Sequence, residues 1–389
     1  MYDGKYIHLI LNPEILAGIY IHIPFCRQLC HYCDFHFTVS LKKKPAVVAA
    51  IIKELMLQRS FLHKEEVETI YFGGGTPSVL SLHEMEGIFK VIFDYYSTAH
   101  VKEITLEANP DDLTAEYLRG LKELGINRLS IGIQSFFDHH LKLMNRRHTA
   151  TEAEQSIDLA KNEGFQHINI DLIYGFPNMK IEEWNKNLSM TAQLEISHLS
   201  AYHLTFEPKT VFSHKLKKGK IKPIDEKESL RHFDILKTFA DQHEYDHYEI
   251  SNFAKNGLYS RHNTNYWLGK KYLGIGPSAH SYDLKNRQWN ISNNTRYVEE
   301  INSGNIPYEK ETLTQSDQYN DYMLTRLRTK WGANTDYIRE QFGDTYQEHA
   351  GRMLEKHRKY GNVEKTKSIF YLTKEGMMIA DAVISDFMY

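Results

Sequence analysis

The sequence "IHIPFCRQLCHYCDF", Ile21 to Phe35, contains all three cysteines of a 389-residue chain, Cys26, Cys30 and Cys33. Three thiols cannot pair into disulfides without leaving one over, and a long chain with no other cysteine is unlike a secreted disulfide scaffold. The spacing Cys-x3-Cys-x2-Cys brings three thiolates together on one short loop. We therefore expect a metal centre in a protein of the reducing cytoplasm.

Two kinds of metal site compete for these thiols. A structural zinc ion takes four ligands, so His31 or His36 would have to complete the set, and zinc fingers usually present two well-separated ligand pairs. A four-iron cluster normally takes four thiolates, and when only three hold it, one iron stays open to an exogenous ligand. A compact triplet with no local fourth cysteine favours the cluster with an open iron.

Composition and charge argue against several classes of partner. Lys+Arg 47 against Asp+Glu 50 gives a net charge of -3, so no basic field favours nucleic acid or an anionic membrane. The first residues, "MYDGKYIHLILNPEILAG", contain no basic segment followed by an uninterrupted apolar core, and no run approaches the roughly 18 apolar residues of a membrane span. We expect a soluble cytoplasmic protein that does not bind nucleic acid and has no transmembrane segment, and leave peripheral membrane contact open.

From residue 18 to about residue 205, short β-branched apolar runs alternate with stretches of helical periodicity. The predicted strands are Ile19–Ile23, Thr69–Phe72, Glu103–Ala108, Arg128–Ile133, His167–Tyr174 and His198–Leu204. The predicted helices are Ala46–His63, Ser81–Tyr95, Thr114–Leu124, Thr151–Glu163 and Ile181–Leu194. Because right-handed crossovers connect parallel strands, this order predicts an α/β fold, a parallel sheet curled into a partial (β/α)6 barrel.

Polar residues stand at the same place in each unit, at the carboxyl end of the strand, where parallel α/β folds build their sites. They are the cysteines after the first strand, Gly73 to Ser78 after the second, Glu107 with "NPDD", Gln134 with Ser135, Asp171, and Tyr202 with His203. Any one of them has a structural explanation, such as a turn or a helix cap. Six in one layer predict a single site.

After residue 205 the sequence changes character. A long amphipathic helix over Asp225–Tyr245 precedes a strand "HYEIS" and an aromatic stretch, "HNTNYWLGKKYLGIGPSAHSY". Helices near Ser316–Lys330, Asn334–Phe342 and Thr345–Tyr360, two short strands and a last helix from Lys374 predict a C-terminal helical, winged-helix-like domain. This domain lacks a clustered basic face, so we interpret it as a packing or partner domain. The predicted divisions are 1–17, an N-terminal segment; 18–210, the partial barrel; 211–305, the connecting helix and "HNTNYW" region; and 306–389, the C-terminal domain.

The motifs "YIHIPFCRQLCHYCDF", "YFGGGTPS", "LEANP", "IGIQSF", "NIDLIYGFP", "HNTNYW" and "GIGPSAHS" resemble the radical S-adenosylmethionine (SAM) superfamily. Within it they resemble the branch of oxygen-independent coproporphyrinogen III dehydrogenase and the HemW haem chaperones. The resemblance runs from about residue 18 to about residue 290 and extends more loosely to the C-terminus. It implies a [4Fe-4S] cluster on Cys26, Cys30 and Cys33 whose open iron binds the amino and carboxylate groups of SAM. One electron from such a cluster cleaves SAM to methionine and a 5′-deoxyadenosyl radical.

The resemblance also implies which residues contact SAM. Glu107 and Asp171 can accept hydrogen bonds from ribose hydroxyls or an ammonium group, and Arg146 can hold a carboxylate. Glycines let the backbone approach the methionine moiety closely. The implied set is Tyr20, Tyr32, Gly74, Gly75, Thr76, Glu107, Gln134, Arg146, Asp171, Tyr202 and His280.

Three features favour the chaperone over the dehydrogenase. The dehydrogenase carries a further cysteine where this sequence has Phe35, and it has an N-terminal extension longer than the 17 or so residues here. "HNTNYW", His262 to Trp267, matches the HNxxYW motif associated with haem in HemW. Imidazole is a competent axial ligand of haem iron, and Tyr266 and Trp267 could pack on a porphyrin face. The alternative is that the motif only anchors a turn on the barrel.

Three functions therefore stay open. The leading hypothesis is a haem chaperone with a SAM-ligated cluster that delivers haem to a haemoprotein acceptor and receives electrons from a flavodoxin or ferredoxin. The second is a coproporphyrinogen III dehydrogenase of porphyrin biosynthesis. The third is a non-catalytic metal-binding scaffold, which a missing SAM pocket would favour. The sequence leaves open whether SAM is turned over, and it assigns no catalytic residue.

Overall fold

The computed structural model describes residues 16–63 and 65–389. The predicted N-terminal segment, 1–17, lies outside the described residues apart from its last two positions. No helix in the described part of the chain is long and apolar enough to cross a membrane.

Six parallel strands in chain order form the centre of one large open sheet, as the alternating pattern predicts. They are β1 (Leu16–Ile23), β2 (Glu66–Gly74), β3 (Glu103–Ala108), β4 (Arg128–Gln134), β5 (His167–Tyr174) and β6 (His198–His203). The predicted mostly parallel α/β fold is confirmed.

The strands are buried because both faces of the sheet are covered. In β1, Ile19, Ile21 and Ile23 are fully buried against the hydrophobic core, whereas the alternate side chains of Tyr20 and His22 lie on the other, concave face. Successive strand residues point to opposite faces, so the apolar half of each strand packs under the helices and the polar half meets inside the curved sheet. This alternation brings polar side chains from several strands to one concave face.

Helices cover the convex face and connect the parallel strands. They are α1 (Lys44–Leu57), α2 (Leu82–Tyr95), α3 (Ala115–Glu123), α4 (Asp138–Leu143), α5 (Ala150–Asn162) and α6 (Ile181–Gln193). Ser81 and Thr149 begin α2 and α5 with reciprocal capping boxes, as helix-start chemistry favours. The predicted helix over Ala46–His63 is too long: it ends at Leu57, and residues 58–63 form turns in which Leu62 remains buried.

Strands from the second half of the chain extend the sheet at both edges. Beside β6 lie β7 and β8, and beside β1 lies β9, which is parallel to β1 and is followed outward by β10, β11 and β12. Their bounds are β7 (Asp246–Glu249), β8 (Asn252–Ala254), β9 (Tyr272–Ile275), β10 (His280–Tyr282), β11 (Asn286–Asn290) and β12 (Tyr308–Thr312). The helices of this region are α7 (Val211–Lys217), α8 (Glu226–Gln242), α9 (Arg261–Trp267) and α10 (Asn294–Asn302).

A buried carboxylate fixes the β9–β11 edge to the barrel. Glu54 of α1 is fully buried and accepts hydrogen bonds from Tyr297, from the Asn290 amide at 2.7 Å and from the Gly276 N–H at 2.8 Å. A buried charge is tolerated when hydrogen bonds satisfy it. Burial nevertheless raises the pKa of Glu54, so the site costs free energy when it is ionised.

The C-terminal part has a hydrophobic core of its own, centred on Tyr319, Leu354, Phe370 and Phe387. Its helices are α11 (Gln315–Leu327), α12 (Thr335–Phe342), α13 (Asp344–Lys359), α14 (Lys374–Met378) and α15 (Ala380–Phe387). Its small antiparallel sheet has the order β13–β15–β14, from β13 (Ala333–Asn334), β14 (Val363–Thr366) and β15 (Ile369–Leu372). Three helices followed by a β-hairpin agree with the winged-helix-like pattern of the sequence.

Candidate functional site

A cavity of about 1120 Å³ opens at the carboxyl ends of the parallel strands. It runs from the cysteine loop after β1, across the ends of β2 to β6, to α8 and to the start of α15. The predicted residues that line it are Cys26, Cys30, Tyr32, Cys33, Gly74, Gly75, Thr76, Glu107, Gln134, Arg146, Asp171 and Tyr202. The polar residues that the sequence places at the strand ends therefore line one cavity.

The three thiols lie together on one wall of this cavity, with Cys26 buried and Cys30 and Cys33 partly exposed. The Thr76 hydroxyl donates to Cys26 Sγ at 3.3 Å, which ties the cysteine loop to the end of β2. Burial raises the pKa of the Cys26 thiol to about 12 and that of Cys33 to about 11. Positive charge from a metal centre would offset this cost, because metals bind the thiolate.

Each of the two nearby imidazoles uses one ring nitrogen in a hydrogen bond to a residue outside the cysteine loop. The His31 Nδ1 lies 2.8 Å from the Leu143 carbonyl oxygen, and the His36 Nε2 lies 2.8 Å from Asn294 Oδ1. Among the described residues, the sulfur atoms of Cys26, Cys30 and Cys33 do not all lie within 4.8 Å of one another. A single zinc ion would hold sulfur ligands about 3.8 Å apart. The arrangement therefore fits a larger centre better than one zinc ion.

Arg146 joins the cysteine loop to the strand ends. Its Nη1 donates to Cys30 Sγ at 3.4 Å, and its Nη2 donates to Asn109 Oδ1 at 2.6 Å and to the Gly132 carbonyl at 2.8 Å. Its Nε is buried without a hydrogen-bond partner among the described residues. Since buried polar atoms are nearly always paired, this free donor suits an anionic ligand group in the cavity.

Gly74 is required by the turn that closes β2. Its φ is +107°, a conformation that side chains rarely adopt, and a Cβ there would lie 2.7 Å from the His22 ring. The next two N–H groups, of Gly75 and Thr76, donate to the carbonyls of Ile23 and Phe25. The turn therefore packs against the cysteine loop directly, as well as facing the cavity.

A second glycine makes room for two of the predicted ligand-contacting side chains. A Cβ at Gly132 in β4 would lie 2.9 Å from the Gln134 amide nitrogen and 3.3 Å from Arg146 Nη2. Gln134 itself has a φ of +67°, which is uncommon outside glycine and turns its side chain at the strand end. Local backbone geometry thus places both polar groups at the cavity.

Two buried carboxyl groups, Glu107 of β3 and Asp171 of β5, line the cavity and interact electrostatically. Burial and, to a smaller extent, the Asp171 charge raise the pKa of Glu107 to about 7, against the lowering effect of the hydrogen bond that the Tyr71 hydroxyl donates to Glu107 Oε1 at 2.7 Å. Burial likewise raises the pKa of Asp171 to about 6, opposed by the Asn169 amide, which donates to its Oδ1 at 2.8 Å. Near neutral pH the two carboxyl groups are therefore partly protonated in the ligand-free protein, and an ammonium group or a ribose hydroxyl would stabilise the ionised form.

Two of the eleven predicted SAM contacts do not line the cavity. Tyr20 lies deeper in the curved sheet, where its hydroxyl bonds His22 Nδ1 at 3.1 Å and its ring stacks on Tyr71. His280 is exposed in β10 and stacks on Trp289. In this conformation both would act on SAM only through other residues.

The "HNTNYW" residues form α9, which packs against the side of β2 that carries Thr69 and Tyr71 but does not line the cavity. His262 is 1% exposed, with its Nδ1 2.8 Å from Thr69 Oγ1 and its Nε2 2.8 Å from the Tyr266 hydroxyl. Its ring stacks on Tyr71, the residue that donates to Glu107, with centroids 4.9 Å apart. Both ring nitrogens are thus engaged, and Trp267 is only partly buried.

Sequence reasoning missed Tyr71 and Asn109, which orient Glu107 and Arg146. Asn109 belongs to the quoted motif "LEANP", and its Oδ1 accepts from Arg146. Tyr71 shares the concave side of β2 with Thr69, two positions away, so strand alternation could have identified it. The outer half of the cavity was also missed, because Phe206, Phe233, Met377 and Met378 come together only through tertiary packing.

Comparison with known proteins connects these motifs to a family. Residues 20–190 match the sequence profile of the radical SAM superfamily. The chain is 32% identical over 376 residues to the heme chaperone HemW of Bacillus subtilis, covering 96% of this chain and 99% of that relative. The heme chaperone HemW of Escherichia coli K12 is 35% identical over 271 residues, 68% of this chain and 69% of that relative.

A solved structure supports the fold. The coproporphyrinogen III oxidase HemN of Escherichia coli, a radical SAM enzyme, superposes with a TM-score of 0.84 at 22% sequence identity. The superposition covers 100% of this chain and 94% of the HemN chain. At this identity the similarity concerns the fold alone.

Proposed function

Because the chain belongs to the HemW family of radical SAM proteins, we propose that it is a haem chaperone that carries a SAM-ligated [4Fe-4S] cluster. In this proposal it binds haem, delivers it to a haemoprotein acceptor in the cytoplasm and takes electrons from a flavodoxin or ferredoxin. The observation that carries the proposal is the similarity to HemW of Bacillus subtilis, which extends over 96% of this chain and 99% of that relative.

The residues of the cavity fit the cluster and SAM. Cys26, Cys30 and Cys33 would hold three irons, and the free Nε of Arg146 is available to an anionic group beside Cys30. When bound, the cluster supplies one electron to SAM. The chain's own contribution is to hold the ligand: Gly74 permits the left-handed turn that lines the cavity beside the cysteine loop, and Glu107 and Asp171 offer carboxylate acceptors. A metal-binding scaffold without a ligand would need no such cavity.

Haem binding at the "HNTNYW" motif requires a local rearrangement. For His262 to ligate iron, at least one of its hydrogen bonds, to Thr69 or to Tyr266, must break, and the buried ring must become accessible. Tyr266 and Trp267 would then pack on the porphyrin. The cavity offers another imidazole, His203, whose exposed ring bonds the Ser229 hydroxyl at 2.6 Å.

Haem titration of the reconstituted protein, followed by Soret absorption, tests this proposal with two matched variants. If the motif supplies the ligand, His262→Ala weakens haem binding and His203→Ala does not. If only His203→Ala weakens it, haem lies in the cavity and the His262 assignment is wrong. If the wild-type protein binds no haem, the chaperone proposal fails.

The dehydrogenase remains the second candidate because the fold is that of HemN. Phe35 lines the cavity and is 66% exposed, at the position where the dehydrogenase carries a further cysteine. An apolar ring there cannot perform thiol chemistry, which favours the chaperone.

A further inference from the structure

We infer that His139, His140 and Glu183 form a binding site for one divalent ion of the zinc class, separate from the cysteine cavity. Among the described residues, they are the group of three His, Cys, Asp or Glu side chains whose ligand atoms all lie within 4.8 Å of one another. The two histidines begin α4, and Glu183 lies in the first turn of α6. None of the three lines the cavity.

The distances agree with ligands of one ion. His139 Nε2 lies 3.0 Å from Glu183 Oε1, and His140 Nε2 lies 3.3 Å from Glu183 Oε2. With zinc–ligand bonds of about 2.0–2.1 Å, neighbouring donor atoms on one ion are roughly 3.0–3.4 Å apart. Each carboxylate oxygen therefore already stands at ligand spacing from a different imidazole.

The donor set has the chemistry of a zinc site. Two imidazole nitrogens and a glutamate are a known three-ligand combination for Zn²⁺, with water in the fourth position. Imidazole selects zinc and its transition-metal neighbours over Mg²⁺ and Ca²⁺, which prefer oxygen ligands. The His139 side chain is 62% exposed, so solvent reaches the open side of the group.

The buried member of the group is already oriented. His140 Nδ1 lies 2.9 Å from the Ser135 hydroxyl, and its ring stands edge-on to Phe176 with centroids 4.4 Å apart. A metal-bound histidine almost always has such a hydrogen bond on its second nitrogen, which fixes the ring and its tautomer. Glu183 Oε2 also accepts from the Lys180 N–H at 2.9 Å, so the carboxylate is held as well.

An ion at this place would steady the cysteine loop. The end of α4 and the residues after it accept hydrogen bonds from that loop: the Leu143 carbonyl lies 2.8 Å from His31 Nδ1, and the Asn145 carbonyl accepts from Gln28 at 2.9 Å. In return, the Asn145 amide donates to the Leu29 carbonyl at 2.7 Å. Joining α4 to α6 through an ion would therefore restrain the element against which the cysteine loop rests.

Metal analysis of the cluster-reconstituted, full-length protein tests the site. After anaerobic equilibration with ZnCl2 and removal of free metal, we expect about one zinc per chain with the iron content unchanged. His139→Gln and Glu183→Gln should each weaken zinc binding about tenfold or more in chelator competition. Glutamine at 183 retains an oxygen for the Lys180 N–H, so the start of α6 is preserved.

A matched control is His83→Gln, which removes an exposed imidazole 3.5 Å from Glu86. In the described part of the chain, no second imidazole completes a group there. This variant should bind zinc as the wild type does. Zinc-edge X-ray absorption should show nitrogen and oxygen ligands only. Failure of the wild type to bind zinc, equal binding by the ligand variants, or sulfur at about 2.3 Å from zinc would each overturn the inference, the last because zinc would then sit on the cysteines.

Discussion

The affinity for SAM should rise with pH through neutrality because Glu107 has to ionise before it accepts hydrogen bonds from the ligand. Burial and the neighbouring Asp171 raise the pKa of Glu107 to about 7, so the ligand-free protein is only about half competent at that pH. For a ligand that needs the ionised form, the apparent Kd equals the intrinsic Kd divided by the ionised fraction of Glu107. Between pH 8 and pH 6 the apparent Kd should therefore increase about tenfold, which corresponds to about 1.4 kcal/mol.

The sign follows from the direction of the pKa shift. A raised carboxyl pKa means that the ligand-free protein prefers the protonated form, and its stability falls as pH rises from the ordinary pKa toward about 7. SAM binding needs the ionised carboxylate, so the affinity for SAM increases as pH rises over the same range.

Anaerobic equilibrium dialysis of SAM on the reconstituted protein, from pH 6 to pH 8, measures this effect, with Glu107→Gln as the control. Glutamine keeps an acceptor for the Tyr71 hydroxyl but cannot ionise, and titration of SAM itself is common to both proteins. The ratio of the two Kd values should therefore change about tenfold across this range. A constant ratio would refute the assignment of Glu107 to SAM binding.

Two further substitutions test the turn after β2 and the buried edge of the sheet. Gly74→Val should weaken SAM binding because the φ of +107° and the His22 ring, 2.7 Å from the new Cβ, would displace the turn that lines the cavity. SAM affinity and iron content are measured beside Gly351→Val, where no atom of the described residues lies within 4 Å of the new Cβ. Equal SAM affinity in the two variants would contradict this prediction. Glu54→Ala should lower the free energy of unfolding by about 1–3 kcal/mol, because the Tyr297 hydroxyl and the Asn290 amide lose their buried acceptor. Denaturant unfolding measures this change. A variant as stable as the wild type would show that this network is not stabilising.

The parallel core was predictable because its signals are local. β3 and β5 were predicted with their observed bounds, since each is a run rich in β-branched residues between turn signals. The edge strands were harder: β12, "YEKET", is exposed along its whole length and has no apolar face to reveal it. Helix α4 was missed because it has only six residues and no side-chain cap.

The site residues at the strand ends were predictable from the sequence. The burial of side chains by tertiary packing was not. Glu107, Gln134 and Asp171 converge because parallel strands end at one edge. For His262 the sequence shows only a motif, and burial between β2 and Tyr266 follows from tertiary packing of α9. The His139–His140 pair likewise gains Glu183 from a helix more than forty residues away in sequence.

As a haem chaperone, this protein should bind haem and should not convert coproporphyrinogen III. The most direct measurement offers haem and coproporphyrinogen III in parallel to the anaerobically reconstituted protein, with SAM and reductant present. We predict a Soret band from bound haem, with neither protoporphyrinogen IX nor carbon dioxide released from coproporphyrinogen III. Turnover of coproporphyrinogen III would contradict the chaperone function and identify the chain as a dehydrogenase.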